Sequence, residues 1–339
     1  MSNFSSIGDQ ARSYQLRLSQ FLLKGKLDRL SKEVTTGIKD DIPLALNGDL
    51  SRISSIETRL TMLAAHNQNA SEAKSMFAVM QSALERIQTV VVEAGPNLLN
   101  EAGGSSEDML RLSANTMTEE FRSFFGALNT EVSGRHVFSG TRTDTAPLAA
   151  FEDMVAELTA TTAGATTATD IVNRIDAWFD APSGAGGFAD TVYRGSNSGN
   201  NNIAVATDRV VGTNLTANSA ELRTTLKGMA IMTYVSESGA GLDSATMREL
   251  FNAAGLRLVS AGVGITNARA MLGMQEAAVA QATTRNTAEI SSLSIARSTL
   301  IAADPYETAT ALQETQASIE SLYTLTSRLS RLSLTDYLS

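Results

Sequence analysis

The side chains able to do acid–base, metal or nucleophilic chemistry are few, and their spacing does not suit it. The only histidines are His66 and His136, and neither falls in an H-E-x-x-H or comparable ligand pattern. Ser139 stands in "FSG" without the G-x-S-x-G frame of a nucleophile elbow. Gly262 and Gly264 in "GVGITNARA" lack the third glycine of a dinucleotide loop and lie within a helical stripe. "GAGG" at 184–187 reads as a loop, and the acidic pairs Asp40-Asp41 and Glu152-Asp153 read as solvated turns. Trp178 and Phe179 read as anchors of a local core. The chain has no cysteine, which excludes disulfides, thiolate chemistry and cysteine-ligated metal. This reading assigns no catalytic, cofactor-binding or metal residue. It expects a protein that is not an enzyme.

The elements that could carry a function are instead long and helical. Apolar residues make up 43% of the chain and aromatic ones only 5%, a composition suited to thin helical packing. A net charge of −9 and a pI near 4.9 argue against nucleic acid as a partner. No run approaches 18 apolar residues, and "MSNFSSIGDQARSYQLRLSQ" lacks the apolar block of a cleaved signal. The expectation is a cytoplasmic protein, or one exported by a route that reads no cleaved signal.

Leu16, Leu23, Leu27, Leu30 and Val34 make a coiled-coil-like stripe over 16–34, with Gln20 in its gap. Residues 35–50 read as a loop through Gly37, Pro43 and Asn47-Gly48. A stripe from Ser51 to about Glu93 predicts a helix that "AGPNLLNEAGGSS" ends. Another helix is expected at 107–132, entered through Ser105. From Gly134 to about 216 the chain turns rich in Gly, Thr, Asn and Ser. Short β-like runs "HVFSG" and "NIAVATDRVVGTNL" lie there, with one helix, "TDIVNRIDAWFD", capped by Asp170. Helical pattern returns at 219–236 and runs from about Ser244 to Ala303.

Between that helix and the last lies "AADPYET". Asp304 can cap a new helix, Pro305 suits its first position, and Glu307 can reach back. The final segment carries Leu312, Ile319, Leu322, Leu325, Leu329 and Leu332. Residues 1–36 hold six basic and three acidic side chains, net +3, whereas 304–339 hold two basic and five acidic, net −3. Neither terminal segment is stable alone, and their opposite charge favours pairing with each other.

The expected architecture is mainly α: a long antiparallel helical bundle or coiled coil, with a small inserted β-rich (α+β) domain and the N- and C-termini paired at one end. Residues 1–40 with 304–339 are read as terminal helical polymerisation segments. Residues 41–135 with 217–303 form the bundle, and 136–216 the inserted Gly/Asn/Thr-rich domain. The ten leucine and isoleucine positions Leu16, Leu23, Leu27, Leu30, Leu312, Ile319, Leu322, Leu325, Leu329 and Leu332 form the expected assembly interface.

Three stretches carry a family resemblance. "LDRLSKEVTTGIKDDIPLAL" at 27–46 is similar to the N-terminal signature of the flagellin superfamily, with "TTG" for the usual "SSG" and "DDIP" for "DDP". "GRHVFSGTRTDTAPL" at 134–148 resembles the run that opens the inserted domain in the hook–filament junction members (third hook-associated proteins) of that superfamily, with His136-Val137 in the aromatic's place. "DPYETATALQETQASIESLYTLTSRLSRLSLTDYL" at 304–338 is similar to their C-terminal segment. The resemblance implies a structural subunit of the bacterial flagellum, secreted by type III export and assembled as a ring of identical subunits through its terminal helices. It further implies a neighbouring hook-associated protein and flagellin as partners, an export chaperone, no cofactor and no membrane insertion. The alternatives are the filament subunit itself, a non-flagellar signalling coiled coil, or an extracellular binding module.

Overall fold

A computed structural model describes residues 7–198, 202–238 and 241–338, with the side chains of 7–10, 13 and 329–338 left outside the description. The chain is mainly helical. Its long helices are α1 (Ile7–Thr36), α3 (Ser51–Gly104), α4 (Glu107–Leu128), α8 (Ala220–Glu237), α9 (Ser244–Ile301) and α10 (Pro305–Leu338). Shorter ones are α2 (Ile42–Ala45), α5 (Phe151–Thr162), α6 (Ala168–Asp180) and α7 (Phe188–Thr191). The described sheets are two antiparallel hairpins, β1 (Glu131–Val132) with β2 (Arg135–His136), and β3 (Ile203–Ala206) with β4 (Arg209–Val211). The chain divides into two compact units, Met1–Leu63 with Ala288–Ser339, and Ala64–Thr287.

In the second unit α3 and α9 run antiparallel, because contacts between them keep a near-constant residue sum. Gln88 Nε2 donates to Thr266 Oγ1 at 2.8 Å, and Arg269 Nε donates to Gln81 Oε1 at 3.1 Å. The tightest approach is at Gly95 and Gly255. A Cβ on Gly255 would lie 2.8 Å from Leu99 Cγ and 3.0 Å from the Gly95 carbonyl. One on Gly95 would lie 3.0 Å from the Val259 backbone nitrogen.

This approach explains a departure from the expected break after Glu93. The helix continues through Pro96 to Gly104. Proline deprives only the Val92 carbonyl of its usual donor, and Val92 is exposed, where water can supply one. Val91, Ala94 and Leu98 meanwhile stay buried on the packed side. The chain breaks at Gly104–Ser106 instead, where Arg248 donates to the carbonyls of Ala102 (3.1 Å) and Ser105 (2.5 Å). Ser106, not Ser105, caps α4 by accepting from the Met109 N–H, and α4 stops at Leu128 before the β1–β2 hairpin.

The inserted stretch is more helical than its composition suggests. Among the described residues three helices, α5 to α7, stand where a single one is expected. Thr167, rather than Asp170, caps α6, while Asp170 pairs with Arg174 at 3.0 Å. Its apolar residues join the core of α4, α8 and α9: Phe151 meets Phe121 and Phe125 edge-on, with ring centroids 5.3–5.4 Å apart. Trp178, Phe179 and Phe188 form a second buried aromatic cluster. The β3–β4 hairpin is pinned by Asn69 Nδ2, donating to Ala204 O at 2.9 Å, and by buried Asn286 Nδ2, donating to Val205 O at 2.8 Å.

Candidate assembly face on the terminal helices

The candidate catalytic types have structural partners. His66 Nδ1 lies 3.2 Å from Ala204 O, and His136 Nδ1 lies 2.9 Å from Asn129 O. Ser139 Oγ donates to Thr145 O at 2.6 Å, and the Ser139 carbonyl accepts from Ser196 N–H at 2.8 Å. Gly140 follows with φ of +63°, and a Cβ there would collide with the Ser196 carbonyl. The "FSG" serine is thus held in a tight loop closure. Among the described residues no group of three His, Asp or Glu side chains could hold a metal ion.

The first unit builds a different kind of site. Helix α1 ends where Gly37, at φ +68°, donates to the Glu33 carbonyl at 2.9 Å, a left-handed stop that suits glycine. The next residues pair with the end of α9. Lys39 N–H donates to Ile301 O and Ala303 N–H donates to Gly37 O, each at 2.9 Å, around an antiparallel bridge of Ile38 with Ala302. Within residues 35–50, expected as loop throughout, Asp41 caps the short α2. Asp304 caps α10 as its position predicts, its Oδ1 accepting from the N–H groups of Tyr306 and Glu307 at 2.9 Å each. Pro305 is the first helical residue. Glu307 is exposed, and none of the described hydrogen bonds runs from the Asp304 N–H to its side chain.

Two connectors zipped by main-chain bonds set α10 antiparallel against α1. Gln20 Nε2 donates to Tyr323 Oη at 3.0 Å across the pair. On the facing sides Leu30 is buried, and Leu16, Leu23, Leu27, Leu312, Ile319 and Leu322 are half-buried. Leu325 is 54% exposed, and the side chains of Leu329 and Leu332 lie outside the described residues. Thr308 and Thr315 complete the α10 seam, buried, with their hydroxyls turned to the Asp304 and Ala311 carbonyls at 2.7 Å. Leucine counting overlooks them, although 308, 312, 315, 319 and 322 keep the 4–3 alternation. Among the described residues no ion pair joins α1 to α10, so the opposite net charges of the two segments act only at longer range.

Pairing leaves much apolar surface uncovered. Tyr14 (67%), Leu18 (46%), Phe21 (76%) and Leu22 (61%) are exposed on α1, as is Tyr323 (48%) on α10. The sequence reading missed this second α1 face. Its signal was present, since 14, 18, 21 and 22 repeat at helical spacing beside the leucine stripe. An open groove of about 680 Å³ runs along the pair, lined by Leu22, Leu23, Leu322 and Leu325 with serines 19, 318 and 321. A helix apolar on both faces is built for burial on both faces.

No described helix is long and apolar enough to cross a membrane. No curated protein matches the chain. Residues 259–338, which span most of α9, the Asp304–Pro305 break and the whole of α10, match the family model of the bacterial flagellin C-terminal helical region. The break and the paired terminal helix therefore lie within a segment similar to the C-terminal helical region of bacterial flagellin, and the exposed face of α1 lies on the helix paired with it.

Proposed function

We propose that the chain is a self-assembling subunit of the zone between flagellar hook and filament. In this reading, residues 1–40 with 304–339 are the polymerisation segments, built on Leu16, Leu23, Leu27, Leu30, Leu312, Ile319, Leu322, Leu325, Leu329 and Leu332. Residues 41–135 with 217–303 form the bundle, and 136–216 the insert. The single observation that carries it is the apolar face left open on α1 after α10 is seated, centred on Phe21 and Leu22. Such a face in a long two-helix pair has one economical use, burial against identical pairs in a ring. The similarity of 134–148 and of the "LTDYL" ending to junction proteins favours the junction over the filament. Export by the flagellar type III route, a chaperone that covers the open face before export, and hook-associated and flagellin neighbours follow from that placement.

Deleting the gene tests it. The expected cells carry hooks without filaments and release flagellin into the medium. A filament subunit would instead leave no flagellin in the medium, and a signalling coiled coil would leave filaments in place.

A further inference from the structure

The second unit holds a cavity of about 350 Å³ between α3 and the β1–β2 hairpin, a volume in the range of small-molecule sites. Its two walls carry opposite charges. Glu72 lines it from α3, beside Ser71 and Ser75, which recur on the same helix face. Arg135 lines it from β2. Both side chains are exposed at the cavity mouth; among the described residues neither joins an ion pair, and Glu72 accepts a long 3.4 Å bond from Gln68. Methionine, valine and isoleucine side chains (Met76, Val137 and Ile203) supply the apolar floor.

The arginine is held on a stiff support. Ser133 (φ +52°) and Gly134 (φ +75°) form a two-residue turn with both residues left-handed, and serine is an unusual choice for the first of them. Val132 pairs with Arg135 across that turn, and His136 N–H donates to Thr143 O at 2.8 Å. An anion alone would satisfy Arg135 but face Glu72, and a cation alone would face Arg135. A molecule carrying both charges complements both walls at once.

We infer that this cavity binds a small zwitterion of the free α-amino-acid class, with its carboxylate on Arg135, its ammonium on Glu72 and an aliphatic side chain on the Met76 floor. The test uses the full chain with ¹³C-methyl methionine, the Met76 signal assigned through Met76→Leu, titrated with L-leucine. A saturable shift of that signal is expected. L-leucinamide and 4-methylpentanoate, each missing one charge, should bind about tenfold or more weaker, as should leucine to Glu72→Gln or Arg135→Gln. Lack of a saturable shift at millimolar leucine overturns the inference. So does equal binding by the two one-charge analogues, or a response to glucose but not to leucine. If either variant fails to fold, the analogue comparison on the unaltered chain decides.

Discussion

Replacing Phe21 and Leu22 together with alanine separates assembly from folding. In the free chain both side chains stand mostly in water, at 76% and 61% exposure, so truncation removes few intramolecular contacts. Alanine is also the better helix former, and exposed substitutions of this kind stay within about 0.5 kcal/mol. The melting temperature should therefore move by no more than about 2 °C. In an assembly the remaining surface is covered. Full burial of such a side chain is worth about 2–2.5 kcal/mol, so three quarters of a phenylalanine and three fifths of a leucine amount to about 3 kcal/mol per interface. That corresponds to roughly a hundredfold weaker association, at about 1.4 kcal/mol per tenfold. The measurement is sedimentation velocity of the purified double variant beside its circular dichroism melt, with filament attachment scored in complemented cells. Assembly at the wild-type concentration refutes the reasoning. A melt lowered by many degrees also refutes it, because the two side chains would then be buried in the monomer.

Other outcomes follow from the same structure. Gly95→Ala, which forces a Cβ against the Val259 backbone, should destabilise the second unit by about 1–3 kcal/mol, whereas Gly126→Ala, with open space around it in α4, should be neutral or stabilising by up to about 1 kcal/mol; denaturant midpoints compare them. Asp304→Ala removes the acceptor of two α10 N–H groups and should cost about 1 kcal/mol, read as faster protease trimming of residues beyond 304. The hydrogen bond from Arg59 holds the Glu289 carboxyl below its usual range, and backbone donors at Thr246 do the same for Asp243. A carboxylate with a lowered folded pKa contributes stability that is present above its unfolded value, about 4.3 for Glu, and is lost as pH falls through the folded value. Melting temperature should thus drop on acidification below about pH 4, and Glu289→Gln should flatten that drop; an unchanged slope would argue against the pair's contribution.

What the chain alone determines is local and periodic. The 3–4 spacing of Leu16 to Leu30 and of Leu312 to Leu322 gives two terminal helices, because that spacing can hide apolar side chains only on a helix face. Asp304-Pro305 gives the break between α9 and α10, because a carboxylate acceptor and a ring with fixed φ act within one turn. The scarcity of reactive side chains at useful spacing is equally local.

Tertiary structure decides wherever two local signals compete. Pro96 reads as a stop, yet the close packing of Gly95 on Gly255 and the buried Val91, Ala94 and Leu98 keep α3 intact at the cost of one exposed hydrogen bond. Ser105 and Asp170 read as caps, but Ser106 and Thr167 hold the extended backbone before α4 and α6 and accept the cap bonds. Outside its one expected helix, the Gly- and Thr-rich stretch reads as β-rich because its apolar residues are sparse. Phe151 becomes helical because α4 offers its ring the apolar surface of Phe121 and Phe125 to cover. The two faces of α1 cannot be ranked by periodicity, since both repeat at helical spacing. Only the seating of α10 assigns Leu23 and Leu27 to the seam and leaves Phe21 and Leu22 outside it, because a helix has one side toward its partner and the other toward water.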